Sequence, residues 1–174
     1  MTPREVEEYK ALRATIGQRG TARVWIFVAG AATWAAISVA TASLLVTPLD
    51  TLLPLFVLAA TFEAVFTLHV GVERIGRYLQ VFHETPDERA CWESIAMAFG
   101  TPARGVSADP LFVVSFAIAA ILNFVPVAFA SPVPAEIVGV GAFHLLFIVR
   151  LIGARRAAAR QRAVDLARFK ELKG

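Results

Sequence analysis

Cysteine is all but missing from this 174-residue chain: Cys91 stands alone. That excludes an internal disulfide framework, a CxxC redox pair and a thiolate zinc cage, and leaves Cys91 to be read as a small packing residue. Also missing is an apolar stretch near the start, because the first 22 residues carry Arg4, Glu5, Glu7, Glu8, Lys10, Arg13 and Arg19. No cleavable signal is expected. Catalytic signatures are absent too: there is no GxSG elbow, no Ser-His-Asp set at a shared depth, no phosphate-cradling glycine loop and no acidic cluster for magnesium. Enzymatic chemistry is therefore not expected. No internal repeat occurs, and the two halves lack the matching broken helices of inverted-repeat transporters.

Charge is scarce in four long apolar tracts, and this scarcity sets the class. Apolar residues make up 57% of the chain and mean hydropathy is +0.62, too apolar for an ordinary soluble core. Tracts at about 24–46, 51–72, 111–130 and 134–152 each match a ~30 Å hydrocarbon layer at 1.5 Å rise per residue. The expected fold is all-α: a polytopic membrane protein with four transmembrane helices over 23–152, interfacial amphipathic helices and a helical tail.

Lysine and arginine are absent from two connections, around Thr47 to Thr51 and Ser131 to Glu136. All 17 lie elsewhere: before and including Arg23, between Arg74 and Arg104, and from Arg150 onward. Short loops that keep Lys and Arg face the cytoplasm, so both termini and the central connection are expected inside, with the protein in the cell (inner) membrane. The sequence pI near 9.5 then reflects attraction to anionic headgroups and calls for no nucleic acid.

Local signals place the helices. Thr2-Pro3-Arg4-Glu5 reads as a capping box opening a helix over about 3–16, within a cytoplasmic interfacial segment 1–22, with Gly17 and Gly20 separating it from the first span. In that span Ala32, Ala36 and Ala40 form a small-xxx-small stripe suited to close helix approach, and we expect it to be the most tightly packed helix of the bundle. Asp50 caps the second span and Pro54 falls in its first turn, while Pro134 and Glu136 open the fourth. Nothing breaks the second tract before Glu84, which predicts a rod of roughly 50 Å. Within the insert 73–109, Thr85-Pro86-Asp87-Glu88 restarts a short helix over about 86–99, with Trp92, Ile95, Ala96 and Phe99 on one face. Gly100 to Pro110 then reads as a loop. The basic tail 153–174 continues the fourth span as a helix, a lipid-steering face or a docking surface for an acidic partner.

Polar residues at membrane depth are costly and seldom face lipid. Glu63 lies near the middle of span two with His69 closer to the cytoplasm, Asn123 lies midway along span three, and His144 in the inner half of span four. Glu63, His69, Glu73, Arg74 and Arg77 share a helical sector about 140° wide that continues through Gln80 and Glu84. Counted from the inner ends of their helices, His69 and His144 lie at similar depths, so contact among Glu63, His69 and His144 is allowed. One reading is a hydrogen-bonded network that fixes helix register, with Glu63 protonated or paired and each histidine satisfied by backbone or Asn123. Another is a proton or cation pathway through Glu63, His69, Glu73, His144 and Asn123, with Arg74 and Arg77 at its inner mouth. A metal at His69, Glu73 and His144, or a single haem between the two histidines, is a weaker alternative, so no cofactor is expected. Asn123, three residues before Pro126, also has a local role open to it: re-satisfying the Leu122 carbonyl that proline frees. His83-Glu84 reads as a solvent-exposed pair. Short outer loops leave little room for a private substrate chamber. The function expected is therefore assembly, as a homo-oligomer or a subunit of a larger membrane complex.

Overall fold

The computed structural model describes residues 1–44, 47–84, 92–99 and 109–174. It is all-helical, with no strand among the described residues. Among these residues the α-helices follow in order: α1 Pro3–Leu44, α2 Leu52–Phe82, α3 Trp92–Phe99, α4 Val113–Phe124 and α5 Pro134–Lys173. Short 3₁₀ turns, Pro48–Thr51 and Val125–Phe129, precede α2 and follow α4. Three helical rods are long and apolar enough to cross a membrane: Pro3–Leu44, Pro48–Phe82 and Pro134–Lys173.

Several helix ends form as their local chemistry dictates. The Thr2 amide donates to Glu5 Oε2 at 2.6 Å and the Glu5 amide to Thr2 Oγ1 at 3.3 Å, closing the expected capping box. At α5 the Val133 amide donates to Glu136 Oε2 at 3.0 Å, with Pro134 in the first turn. Asp50 acts slightly earlier than expected: its carboxylate accepts from the Thr47 amide at 3.0 Å and closes the 3₁₀ turn ahead of α2. Continuity of the second and fourth tracts holds. The 35 residues of Pro48–Phe82 span about 50 Å, and the 40 residues of α5 about 60 Å.

Two expectations fail in α1. Gly17 and Gly20 lie inside one continuous 42-residue helix, so no separate N-terminal helix exists. An internal glycine costs only about 1 kcal/mol and does not end a helix by itself; ahead of both glycines, Glu8 and Arg13 reach Tyr78 and Glu93 of other elements. Nor is α1 the tightest helix: it contains no fully buried residue, and Ala32, Ala36 and Ala40 are exposed. It lies along one side of α2 and comes close to it at Gly30, where an added methyl group would overlap the Thr61 side chain.

The core belongs to α2. Its Leu55, Leu58, Phe62 and Val65, at spacings of three and four, pack against Phe116 and Ala120 of α4 and Phe147 and Leu151 of α5. Phe62, Phe116 and Phe147 meet edge to face at 5.4, 6.2 and 6.5 Å between centroids. Within α3, Trp92 and Ile95 are exposed. The Thr85 to Glu88 start signal, Cys91 and residues 100–108 fall outside the described residues.

The two ends of the molecule differ in chemistry. The two turns without lysine or arginine share one end, where Asn123 reaches the Thr51 carbonyl. At the other end α1, α2, α3 and α5 are joined by charged side chains.

Candidate functional site

The polar residues of the apolar region form three separate contacts on different levels. Nearest the uncharged turns, Asn123 Nδ2 donates to the Thr51 carbonyl at 2.8 Å and lies 3.0 Å from His144 Nε2. His144 Nδ1 lies 2.9 Å from the Val140 carbonyl. These bonds fix one another. A carbonyl can only accept, so Nδ1 carries the hydrogen; Thr51 identifies Nδ2 as the amide donor, so Nε2 must accept. His144 is thereby an uncharged ring with both nitrogens occupied, buried beside Asn123. His144 is thus satisfied by a backbone carbonyl and by Asn123. Asn123 does not serve the Leu122 carbonyl, because the 3₁₀ turn forced by Pro126 lets the Val125 amide reach that oxygen.

His69 sits elsewhere. Its Nδ1 lies 3.1 Å from an Arg23 guanidinium nitrogen, and since guanidinium only donates, this nitrogen accepts. Thr51 precedes His69 by 18 residues on one continuous helical rod, or about 27 Å at 1.5 Å per residue. His144 is tied to the Thr51 level, so the two histidines do not share a depth. Counting from the inner ends misplaces them, because α2 and α5 both run far past the apolar region.

Glu63 makes the third contact, with Arg150 of α5. Its carboxylate takes both arms of Arg150, Nε at 2.7 Å and Nη2 at 2.8 Å. The Arg150 guanidinium also rests 4.8 Å from the Phe66 ring centroid. In the sequence Arg150 is legible only as the first cation of the C-terminal basic segment, at the inner end of span four; nothing in its spacing pairs it with Glu63. Thus Glu63, His69 and His144 do not come together. Among the described residues no three His, Cys, Asp or Glu side chains are placed to hold a metal ion.

Beyond His69 the stripe of α2 is consumed by partners. Glu73 pairs with Arg77 at 3.5 Å and Arg162 at 2.7 Å, and Arg74 with Asp165 at 3.3 Å. Arg77, buried, also donates to Gln80 at 3.1 Å. Glu84 is not solvent-exposed as expected: it accepts from the Glu93 and Ser94 amides at 2.6 and 3.0 Å, holding the start of α3. His83 is half-buried between the Tyr9 and Tyr78 rings. Arg13 of α1 completes the clasp at 2.6 Å from Glu93, whose carboxyl burial pushes above its ordinary value against the pull of Arg13. The Lys173 ammonium caps the Val81 carbonyl. Chemically this is a set of ties that join one helix to the next.

Comparison with known protein families, with curated proteins and with solved structures returns no match.

Proposed function

We propose that the chain is a four-pass protein of the cell (inner) membrane, both termini cytoplasmic, that works by assembling with other membrane chains. Four crossings are supported by length. The α4 helix followed by its 3₁₀ turn covers Val113–Phe129, and at 1.5 and 2.0 Å rise that segment reaches about 28 Å, close to the hydrocarbon thickness. Orientation is supported by the gathering of lysine and arginine at the end opposite the two short turns.

The observation that carries the assembly reading is the Glu63–Arg150 pair. The Glu63 side chain is 48% exposed and that of Arg150 40%. Glu63 precedes His69 by six residues in α2, which puts the pair about 9 Å inside the Arg23–His69 level. Formal charges on the outer surface at that depth favour a covering protein over acyl chains. Among the described residues none covers the pair.

Gentle extraction followed by mass measurement tests this. We expect a particle heavier than one 18.8 kDa chain, through copies or co-purifying subunits. A lone chain both in mild detergent and in a bilayer would end the reading. Transport is checked separately in proteoliposomes: under the assembly reading the intact chain and Glu63→Gln both run at the empty-liposome background.

A further inference from the structure

Resting on the assembly reading, we infer that the face carrying Glu63 and Arg150 is closed by a second copy of this chain in the same orientation, the two related by a two-fold axis along the membrane normal.

Charge complementarity carries the choice of occupant. A two-fold along the normal brings together residues at equal depth, and an isologous contact matches i with j and j with i. Glu63 and Arg150 are at equal depth because they touch, and they carry opposite charge. In the pair, Glu63 of each copy can take one arm of its own Arg150 and one of the second copy's. The surface that forces a lone chain to show charge to lipid thus becomes a closed ring of four charges.

An independent observation lies in the glycines. Gly139 and Gly153 are on the same side of α5 as Arg150, and a Cβ at either would meet nothing within 4 Å. Among the described residues nothing requires them to be glycine. Beside them run Ala60 and Thr67 of α2, exposed one turn to either side of Glu63, and Leu146 of α5, 63% exposed. Small residues at helical spacing let a second helix approach closely in lipid, where association depends on van der Waals contact and interhelical polar bonds. The exposed Ala32, Ala36 and Ala40 stripe of α1 has no charged pair and lacks this second argument.

The test uses full-length chains in vesicles, labelled with two fluorophores and read by energy transfer, with Cys91→Ser as the background. Glu63→Arg and Arg150→Glu, each alone, place like charges on the face; we expect self-association to fall by about tenfold or more, the scale of losing such interhelical contacts. Mixed together, the two variants set a face with two cations against a face with two anions, so opposite charges meet at both crossings. Association should then return to the level of the unaltered chain. Gly153→Leu serves where a charge variant does not fold: it keeps every intrachain contact and should weaken self-association alone. If the unaltered chain self-associates but Gly153→Leu does not weaken it and mixing the two charge variants does not raise association above that of either alone, this face is wrong and assembly stands. If it associates only with other proteins, the second copy is wrong and assembly again stands. A chain alone in every medium overturns both.

Discussion

The two halves of α2 are held by different physics. From Leu55 to Val65 the helix is fixed by shape, its Phe62 locked edge to face between Phe116 and Phe147. From Glu73 to Glu84 it is fixed by charge, through Arg162, Asp165, Glu93 and their neighbours. Contacts of the first kind are dry, short-ranged and indifferent to salt. Those of the second are partly open: Arg74 is 55% exposed and Arg162 41%. Exposed ion pairs are worth about 0–1 kcal/mol each and weaken with salt. One helix thus carries a rigid half and a half whose ties can be loosened one at a time.

The largest expected effect comes from the shape-held half. Phe62→Ala removes a fully buried ring that packs on both α4 and α5, and should cost about 3 kcal/mol or more through the cavity it leaves. Thermal unfolding in detergent, followed by circular dichroism, reads this directly. Asn123→Ala comes next. It leaves the Thr51 carbonyl and His144 Nε2 without their donor in a buried site, a loss of about 1–3 kcal/mol. Neither loss should change between low and high salt. If either does, the division between the halves is wrong.

What the sequence made legible is what neighbouring residues decide. Thr2 with Glu5 and Val133 with Glu136 are three apart, and such pairs close helix ends whatever lies beyond them. The unbroken rods of α2 and α5 were equally readable, since nothing in either tract interrupts the helix. Gly17 and Gly20 mislead as a break in α1 because a glycine inside a helix costs only about 1 kcal/mol and does not end the helix by itself. The site was legible in its members but not in its pairing. Asn123 bonds a carbonyl 72 positions away. Neither its level nor that of His144 can be read from spacing along the helices, and the same holds for Glu63 with Arg150, which lie 11 and 16 residues past the starts of α2 and α5.

In the charge-held half Arg162→Gln removes the 2.7 Å tie to Glu73 while Arg77 remains at 3.5 Å. We expect a loss below about 1 kcal/mol that disappears in high salt, measured by the same unfolding curves at two ionic strengths. A loss comparable to that of Phe62→Ala would break the comparison.

The smallest effect sharpens it, because it isolates one tie by pH. Tyr78 donates its phenol to Glu8 Oε1 at 2.7 Å, joining α2 to the charged stretch of α1. That bond, followed by burial, raises the phenol above its ordinary value of 10.0. A raised folded value means the protonated form is favoured on folding. The contribution is therefore complete below the unfolded value and is lost as pH climbs through the folded one. The unfolding midpoint of the intact chain should fall more steeply above pH ~10 than that of Tyr78→Phe, in which no phenol titrates at that position. Lysines titrate in the same range in both proteins and cancel in the difference. Parallel curves would mean that Glu8 and Tyr78 do not hold α1 against α2, and that the long first helix is kept in place by Arg13, by Arg23 and by the packing of Phe27 on Phe112 and Phe116.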